Sequence, residues 1–308
     1  MIGMADVDEQ TPGRKLANPK APPHSLLEQS LRADRPAAMS YAARTRLAQQ
    51  RGLSLTEART LARLATPQAI QDFLVDFPQN FEPEGDTARS VEQTLKHRRA
   101  HCIEGAMVAA FALWLQGHPP LLLDFSAHQD MDHVIAPFRV NGKWGAISKT
   151  NYVCLRWRDP VYRSVRELAM SYFHEYAKGP RKTLRSYSKP YDLSRLPAEK
   201  WVNNPKDCWE IADLITAAPH YEIVTAAEAK RLRHRDDVEL RSDKVTVFPI
   251  PKWKRQRLWP HRRASRGEKH AEEETAGFGE RIELQLARRR PQGVIGEDEE
   301  ATAGTAGQ

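Results

Sequence analysis

Hydrophobic positions fall into blocks of different period along the chain. Between Leu26 and Phe77 they recur at roughly helical spacing: Leu47, Leu53 and Leu55 flank a turn at Arg51-Gly52, and Leu61, Ala62, Leu64 and Ala65 precede Thr66-Pro67. That dipeptide is a helix start, with Thr as N-cap and Pro at the first helical position, leading into Ile70, Phe73 and Leu74. The spacing predicts a helical subdomain over residues 25–80. After the loop EPEGDT, Ser90 to Leu95 reads as a short helix delivering the chain to HRRAHCIEGA. From Cys102 to Leu115 the chain is apolar nearly all round, so this helix must be buried in the core. Gly117 ends it, and Pro119-Pro120 forbid its continuation.

The pattern then changes. Leu121 to Phe125 suits a buried strand, Val134 to Val140 a second, and Asn141-Gly142 is a strong hairpin signal with Lys143 to Lys149 as the returning strand. A two-residue loop pairs Val140 with Lys143 and sets the later register. His133 then faces Thr150, and Ser148, its diagonal neighbour, shares its side of the sheet, while Lys149 and Asn151 point the other way. Asp159-Pro160 is expected to open a helix carrying Val165, Leu168, Ala169, Tyr172 and Phe173. The segment RKTLRSYSKPYDL reads as a polar loop, Trp201 to Val247 as one or two further helices, and Lys244 to Ile250 as a short β-like stretch. The fold class expected is α+β, with a buried helix packed on an antiparallel sheet over residues 81–250. Residues 1–24, Pro-rich and without Phe, Tyr or Trp, read as a disordered arm. Residues 251–308, first basic and then of low complexity, read as a disordered tail.

Composition narrows the function classes. With 40% hydrophobic and 28% charged residues in 308, wholesale disorder is excluded. The longest apolar run, Ala106 to Leu115, is about half of the ~20 residues a membrane helix needs. The acidic N-terminal residues do not fit a signal peptide, so a cytoplasmic protein without membrane association is expected. The formal net charge is +7, and Lys252 to His270 alone carries that excess, leaving the remainder neutral. Such a segment reads as a solvating arm, and any nucleic-acid association would go through residues 252–270. Three widely spaced cysteines, Cys102, Cys154 and Cys208, form neither a disulfide framework nor a zinc motif. His174-Glu175 lacks the second His of HExxH, and neither GxxxxGK[ST] nor GxGxxG occurs. No metal or cofactor is expected.

The informative chemistry is a cysteine at the head of a buried helix, followed by a histidine at the head of a hairpin. Cys102 stands where Arg98-Arg99 give way to the apolar helix, so the helix's positive end and nearby cations favour its thiolate. His133 would serve as base or imidazolium partner. Taken singly, each is an ordinary core residue; the ordered pair in this context is what points to acyl transfer. Ser148 is placed to hold the second ring nitrogen of His133, with Thr150 in reserve. Asp124 on the preceding strand is an alternative, whereas Asp132, adjacent to His133, should face away. His97 and His101, just before Cys102, would serve as a second base or a gate or else are half-exposed lead-in residues, and Glu104 reads as an acid complementing the helix dipole. The aromatics Trp157, Tyr162, Tyr172, Tyr176 and Tyr187, interleaved with Arg156, Arg158, Arg163, Arg166, Arg181 and Arg185, would line a groove for an anionic or peptide partner or form helix surface and core edge.

The stretches SVEQTLKHRRAHCIEGAMVAAFAL and DHVIAPFRVNGKWGAISKT resemble the core of the transglutaminase-like superfamily, whose papain-like members use a Cys-His-Asp triad. The resemblance spans residues 90–151. It implies Cys102 as nucleophile and His133 as base, and it puts Ser148, four residues after Trp144, where the family has its aspartate. A neutral group in that place supplies orientation without charge, a loss a thiolate–imidazolium pair tolerates better than a Ser-His pair does. Two functions follow as expectations: cysteine-dependent acyl transfer or amide hydrolysis on a peptide or protein substrate, or a catalytically degenerate domain that binds a peptide or protein.

Overall fold

The computed structural model describes residues 39–254. The expectations for residues 1–24 and for nearly all of the tail, including most of the basic segment, lie outside the described residues. Residues 39–250 belong to one compact unit, and Pro251 begins a second. The first unit is α+β.

Among the described residues three helices come first: α1 (Tyr41–Gln50), α2 (Leu55–Ala62) and α3 (Pro67–Val75). Each is capped by a side-chain hydroxyl accepting an N–H of the first turn: Ser40, Ser54 and Thr66. Pro67 occupies the first helical position, where its missing N–H costs nothing. Helix α4 (Val91–His97) is capped by Ser90, and α5 (Cys102–Leu115) is the central helix. Twelve of the fourteen α5 residues are buried, which is why its sequence has no polar stripe. Gly117 adopts a left-handed φ of 91° just beyond its end.

The sheet is antiparallel throughout. Strands β1 (Leu121–Ala127), β2 (His133–Val140), β3 (Lys143–Ile147), β4 (Arg158–Tyr162), β7 (Leu184–Ser188) and β9 (His220–Glu222) run in the order β4-β3-β2-β1-β7-β9, and β8 (Tyr191–Asp192) pairs with β1. Strands β5 (Ala177–Lys178) and β6 (Arg181–Lys182) form a separate hairpin. Asn141 and Gly142 both have positive φ, and Val140 pairs with Lys143 through to Ala136 with Ile147, the register the two-residue turn dictates. Both sheet faces are buried. Leu122, Val134, Ala136 and Phe138 pack with α1, α2, α3 and α5 in one cluster, while Leu123, Phe125, Ile135 and Trp144 pack in another under α6 (Val165–Met170), Tyr172 and Tyr176. A strand covered on both sides has no polar side to show, so β1 begins as an unbroken apolar run.

Several expectations need correcting. Asp159-Pro160 does not open a helix: both lie in β4, an edge strand, where proline's missing N–H is tolerated. The helix starts at Val165, capped by Ser164. The segment expected as a polar loop contains β7, which lies directly against β1, and Leu184 and Tyr187 turn inward from it. Residues 244–250 form no strand and contribute one isolated bridge, Thr246 with Tyr152. After β9 the chain makes short helices α8 (Ala226–Ala229) and α9 (Asp237–Ser242), in addition to α7 (Trp209–Thr216) before it. Tyr172, Tyr176 and Tyr187 are buried, so they belong to the core and not to a groove.

A close approach locks α5 to the chain beyond β3. A Cβ added at Gly105 would stand 2.3 Å from Lys149 Cβ, an atom too near the backbone to swing aside. In an open helix Gly→Ala is stabilising by up to ~1 kcal/mol. Here Gly105→Ala is expected to destabilise instead, by about 1–3 kcal/mol; urea denaturation midpoints of the two proteins check it.

Candidate active site

Two residues before Cys102, Ala100 bridges in parallel to Gln79: its N–H donates to Pro78 O (3.1 Å) and its carbonyl accepts the Asn80 N–H (3.0 Å). Glu104, one turn into α5 and fully buried, gathers the lead-in. It accepts from the His101 N–H (3.0 Å), Thr87 Oγ1 (2.8 Å), the Arg89 N–H (3.3 Å) and Asn80 Nδ2 (3.1 Å). Its role therefore exceeds dipole complementation: it fixes the turn from which the thiol projects.

Cys102 is half-buried at the first position of α5, and its sulfur lies within the influence of both His101 and His133. Burial alone would raise the thiol's pKa. The hydrogen bonds and positive charge of the two histidines outweigh it and hold the thiol well below its ordinary value. His101 Nδ1 stands 3.9 Å from Sγ, and Nε2–H donates to Thr87 O at 2.8 Å. Burial opposes its protonation, but the bond to the Cys102 sulfur and the charges of Cys102, Glu104 and Glu82 carry its pKa up to about 9. Cys154 and Cys208 contrast with it, since burial raises both, Cys208 to about 12.

His133, the first residue of β2, is buried and meets Ser148 Oγ through Nε2 at 2.8 Å. The Ser148 hydroxyl donates its single proton to Leu155 O at 2.6 Å, so it accepts from His133 Nε2–H. Nδ1 is thereby left as the nitrogen that serves the sulfur. Ser148 lies one residue past β3, and Gln71 holds its backbone: Gln71 Nε2 donates to Ser148 O (3.1 Å), and the Ser148 N–H donates to Gln71 Oε1 (2.9 Å). Lys149 points the other way, against α5, and donates through Nζ to Phe77 O (2.5 Å); burial lowers its pKa to about 8.

Cys102, His133 and Ser148 are thus together, and Asp124, though its carboxyl feels the charge of Cys102, hydrogen-bonds to none of them. It pairs with Val134 across the strands, so it lies on the opposite sheet face from His133. Its Oδ2 is 3.3 Å from His220 Nε2, and its N–H donates to Ser188 Oγ. Because His220 Nδ1 is committed to Ala218 O (2.7 Å), one proton must sit between the carboxylate and the ring. Burial and the charge of Asp132 raise the pKa of Asp124 to about 6. Asp132 accepts the Ala127 N–H instead of approaching the ring beside it, and Thr150 is not needed as a partner. Sequence reasoning weighed His101 as a second base or gate only alongside His97 and below His133; its adjacency to Cys102 at a helix start was the signal that separates it from His97. Gln71 carried no signal at all, lying 77 residues from Ser148.

The arrangement can hold an anionic sulfur beside two imidazole N–H groups, with the Cys102 N–H in the first helical turn, where no intrahelical acceptor exists. Among the described residues no group of three His, Cys, Asp or Glu is placed to hold a metal ion, and no helix is long and apolar enough to cross a membrane.

No family profile and no curated protein matches the chain. Among solved structures, Legionella pneumophila LapG aligns over 37% of this chain and 75% of that one, at 15% identity and a TM-score of 0.27. The same protein in EGTA-treated form aligns over 37% and 72%, at 16% identity and a TM-score of 0.27.

Two outcomes follow from this geometry. Ser148→Ala leaves His133 Nε2–H and Leu155 O without each other's bridge, and is expected to destabilise by about 1–3 kcal/mol and to move alkylation of Cys102 to higher pH; denaturation and rate profiles measure both. For Asp124, a folded pKa of about 6 against an ordinary 3.8 means the folded state binds more protons in that window, so its contribution to stability falls as pH rises from 3.8 through about 6. Asp124→Asn should lose less stability than the native protein between those two pH values, read as the shift in unfolding midpoint.

Proposed function

We propose that the chain is a transglutaminase-like cysteine enzyme acting on an amide carbonyl of a peptide or protein. The observation that carries this reading is the convergence of His101 and His133 on a Cys102 thiol at a helix start, with the far nitrogen of each ring committed to an acceptor. Cys102 Sγ attacks the carbonyl carbon, forming the C–S bond, and the oxyanion is met by the Cys102 N–H. His133 Nδ1–H protonates the amide nitrogen as the C–N bond breaks, leaving a thioester and a neutral His133. Water or an amine then attacks the thioester, His133 takes its proton, and the thiolate leaves. Ser148 is a positioning residue, holding Nε2 so that Nδ1 faces sulfur. His101, when charged, helps to hold the Cys102 thiolate, so the anion does not rest on His133 alone.

The neutral Ser148 also supports the second reading, a domain that keeps the cleft to bind a peptide without turnover. Site-resolved alkylation by iodoacetamide, from about pH 5 to 9, separates the two. The enzyme requires Cys102 to react well below the ordinary thiol range and faster than Cys154 or Cys208, with both His133→Ala and His101→Ala moving its profile to higher pH. Alkylation of Cys102 no faster than Cys154, or unmoved by either substitution, would sink the catalytic reading and leave the binding one.

A further inference from the structure

Away from Cys102 and His133, and sharing no residue with them, a cavity of about 470 Å³ lies between the β5–β6 hairpin, the start of β7 and α8. Its size falls within the ~300–1,000 Å³ of small-molecule sites. Lys178, Arg181, Lys182, Arg185, Lys230 and Arg233 line it, and no Asp or Glu does. Arg233 is neutralised by Asp236 (3.0 Å) and Glu239 (2.9 Å). The other five form no ion pair with a carboxylate among the described residues. The nearby Asp130 is engaged by Thr183 Oγ1 at 2.7 Å.

Lys182 makes the arrangement costly as it stands. The residue is 7% exposed, and its ammonium, with three donors, makes one hydrogen bond among the described residues, to Arg233 O at 3.0 Å. A buried cation with one neutral partner is unfavourable, and four further like charges around the same space add to the cost. An anion inside the cavity relieves both terms. Five cations around so small a volume call for several negative charges close together. A peptide brings at most one per residue, spaced ~3.3 Å along an extended chain, whereas linked phosphoryl groups concentrate three or four. Ala226, Ala229 and Leu232 give the cavity an apolar wall for the remainder of such a molecule.

We propose that this cavity binds an organic phosphate carrying two or more linked phosphoryl groups, held by side-chain cations and not by a glycine-rich loop. That architecture leaves no phosphate-binding motif in the sequence. The proposal is independent of the chemistry at Cys102.

Calorimetric titration of the full chain with pyrophosphate and with ATP tests it, at about 50 and 200 mM salt. One saturable site is expected for ATP, weaker at the higher salt. Arg181→Glu with Lys230→Glu, both on exposed side chains, should weaken it about tenfold or more, and the milder pair Arg181→Gln with Lys230→Gln by a smaller factor. ATP should raise the melting temperature of the native protein more than that of either variant. Three results would overturn the proposal: no saturable binding of either phosphate; binding unchanged in both variants, which would place the anion elsewhere, for instance on residues 252–270; or saturation by a poly-glutamate peptide with neither phosphate bound.

Discussion

Burial of Cys102 works against its thiolate, and the surrounding fold answers with two imidazoles where one is the minimum. In each ring the nitrogen remote from sulfur already has an acceptor that can accept only: Thr87 O carries no proton, and the Ser148 hydroxyl has given its own to Leu155 O. Neither ring can therefore present its single N–H to sulfur while neutral. Each gains a second N–H only by taking the thiol's proton or one from solvent, so formation of the ion pair needs no side-chain rearrangement. Glu104 completes the balance, lying 3.7 Å from His101 Nε2 and favouring its charged form. A charge held from both sides depends less on a carboxylate behind His133.

The same requirement explains why residues 148 and 149 are held so firmly. Strand alternation sends Ser148 toward His133 and Lys149 toward α5, and a slip of one residue would exchange them. Gln71 takes both backbone groups of Ser148, while the Lys149 stem fills the space that Gly105 leaves open on α5. Lys149 Nζ closes the circuit on Phe77 O, just beyond α3. The N-terminal helices thus share one hydrophobic cluster with α5 and also clamp the strand end on which the His133 partner sits.

How much of this could be read from the sequence depends on how local the cause is. The Asn141-Gly142 turn carries its own geometry, and from it followed the pairing of β2 with β3 and the placing of Ser148 on the His133 side. The helix from Cys102 to Leu115 announced its burial by lacking a polar stripe. Asp159-Pro160 misled because proline is at home at the first turn of a helix and on an edge strand alike, and only the presence of β3 decides between them. His101 was undervalued because its effect arises from Thr87 and Glu104 closing around it, and Asp124 was overvalued because chain proximity to His133 says nothing of the face it occupies. Gln71 and the Gly105–Lys149 contact are long-range and leave no periodic trace.

Strand β7 shows the same limit for charge. Its residues do not alternate: Leu184, Tyr187 and Ser188 are buried and the consecutive Arg185 and Ser186 half-exposed, with a register shift against β1, so the segment does not stand out from a loop until β1 and β9 flank it. Read as a loop, its Arg185 and the neighbouring Lys178, Arg181 and Lys182 are ordinary solvated cations. Subtraction along the sequence assigns the whole net charge to residues 252–270 and calls the rest neutral. Neutrality of a sum is compatible with segregation in space. Asp236, Glu239 and Asp130 are taken up by Arg233 and Thr183, so five cations that form no ion pair with a carboxylate among the described residues line one cavity; the run from Lys178 to Arg185 supplies four of them, and the fold brings Lys230 to join them.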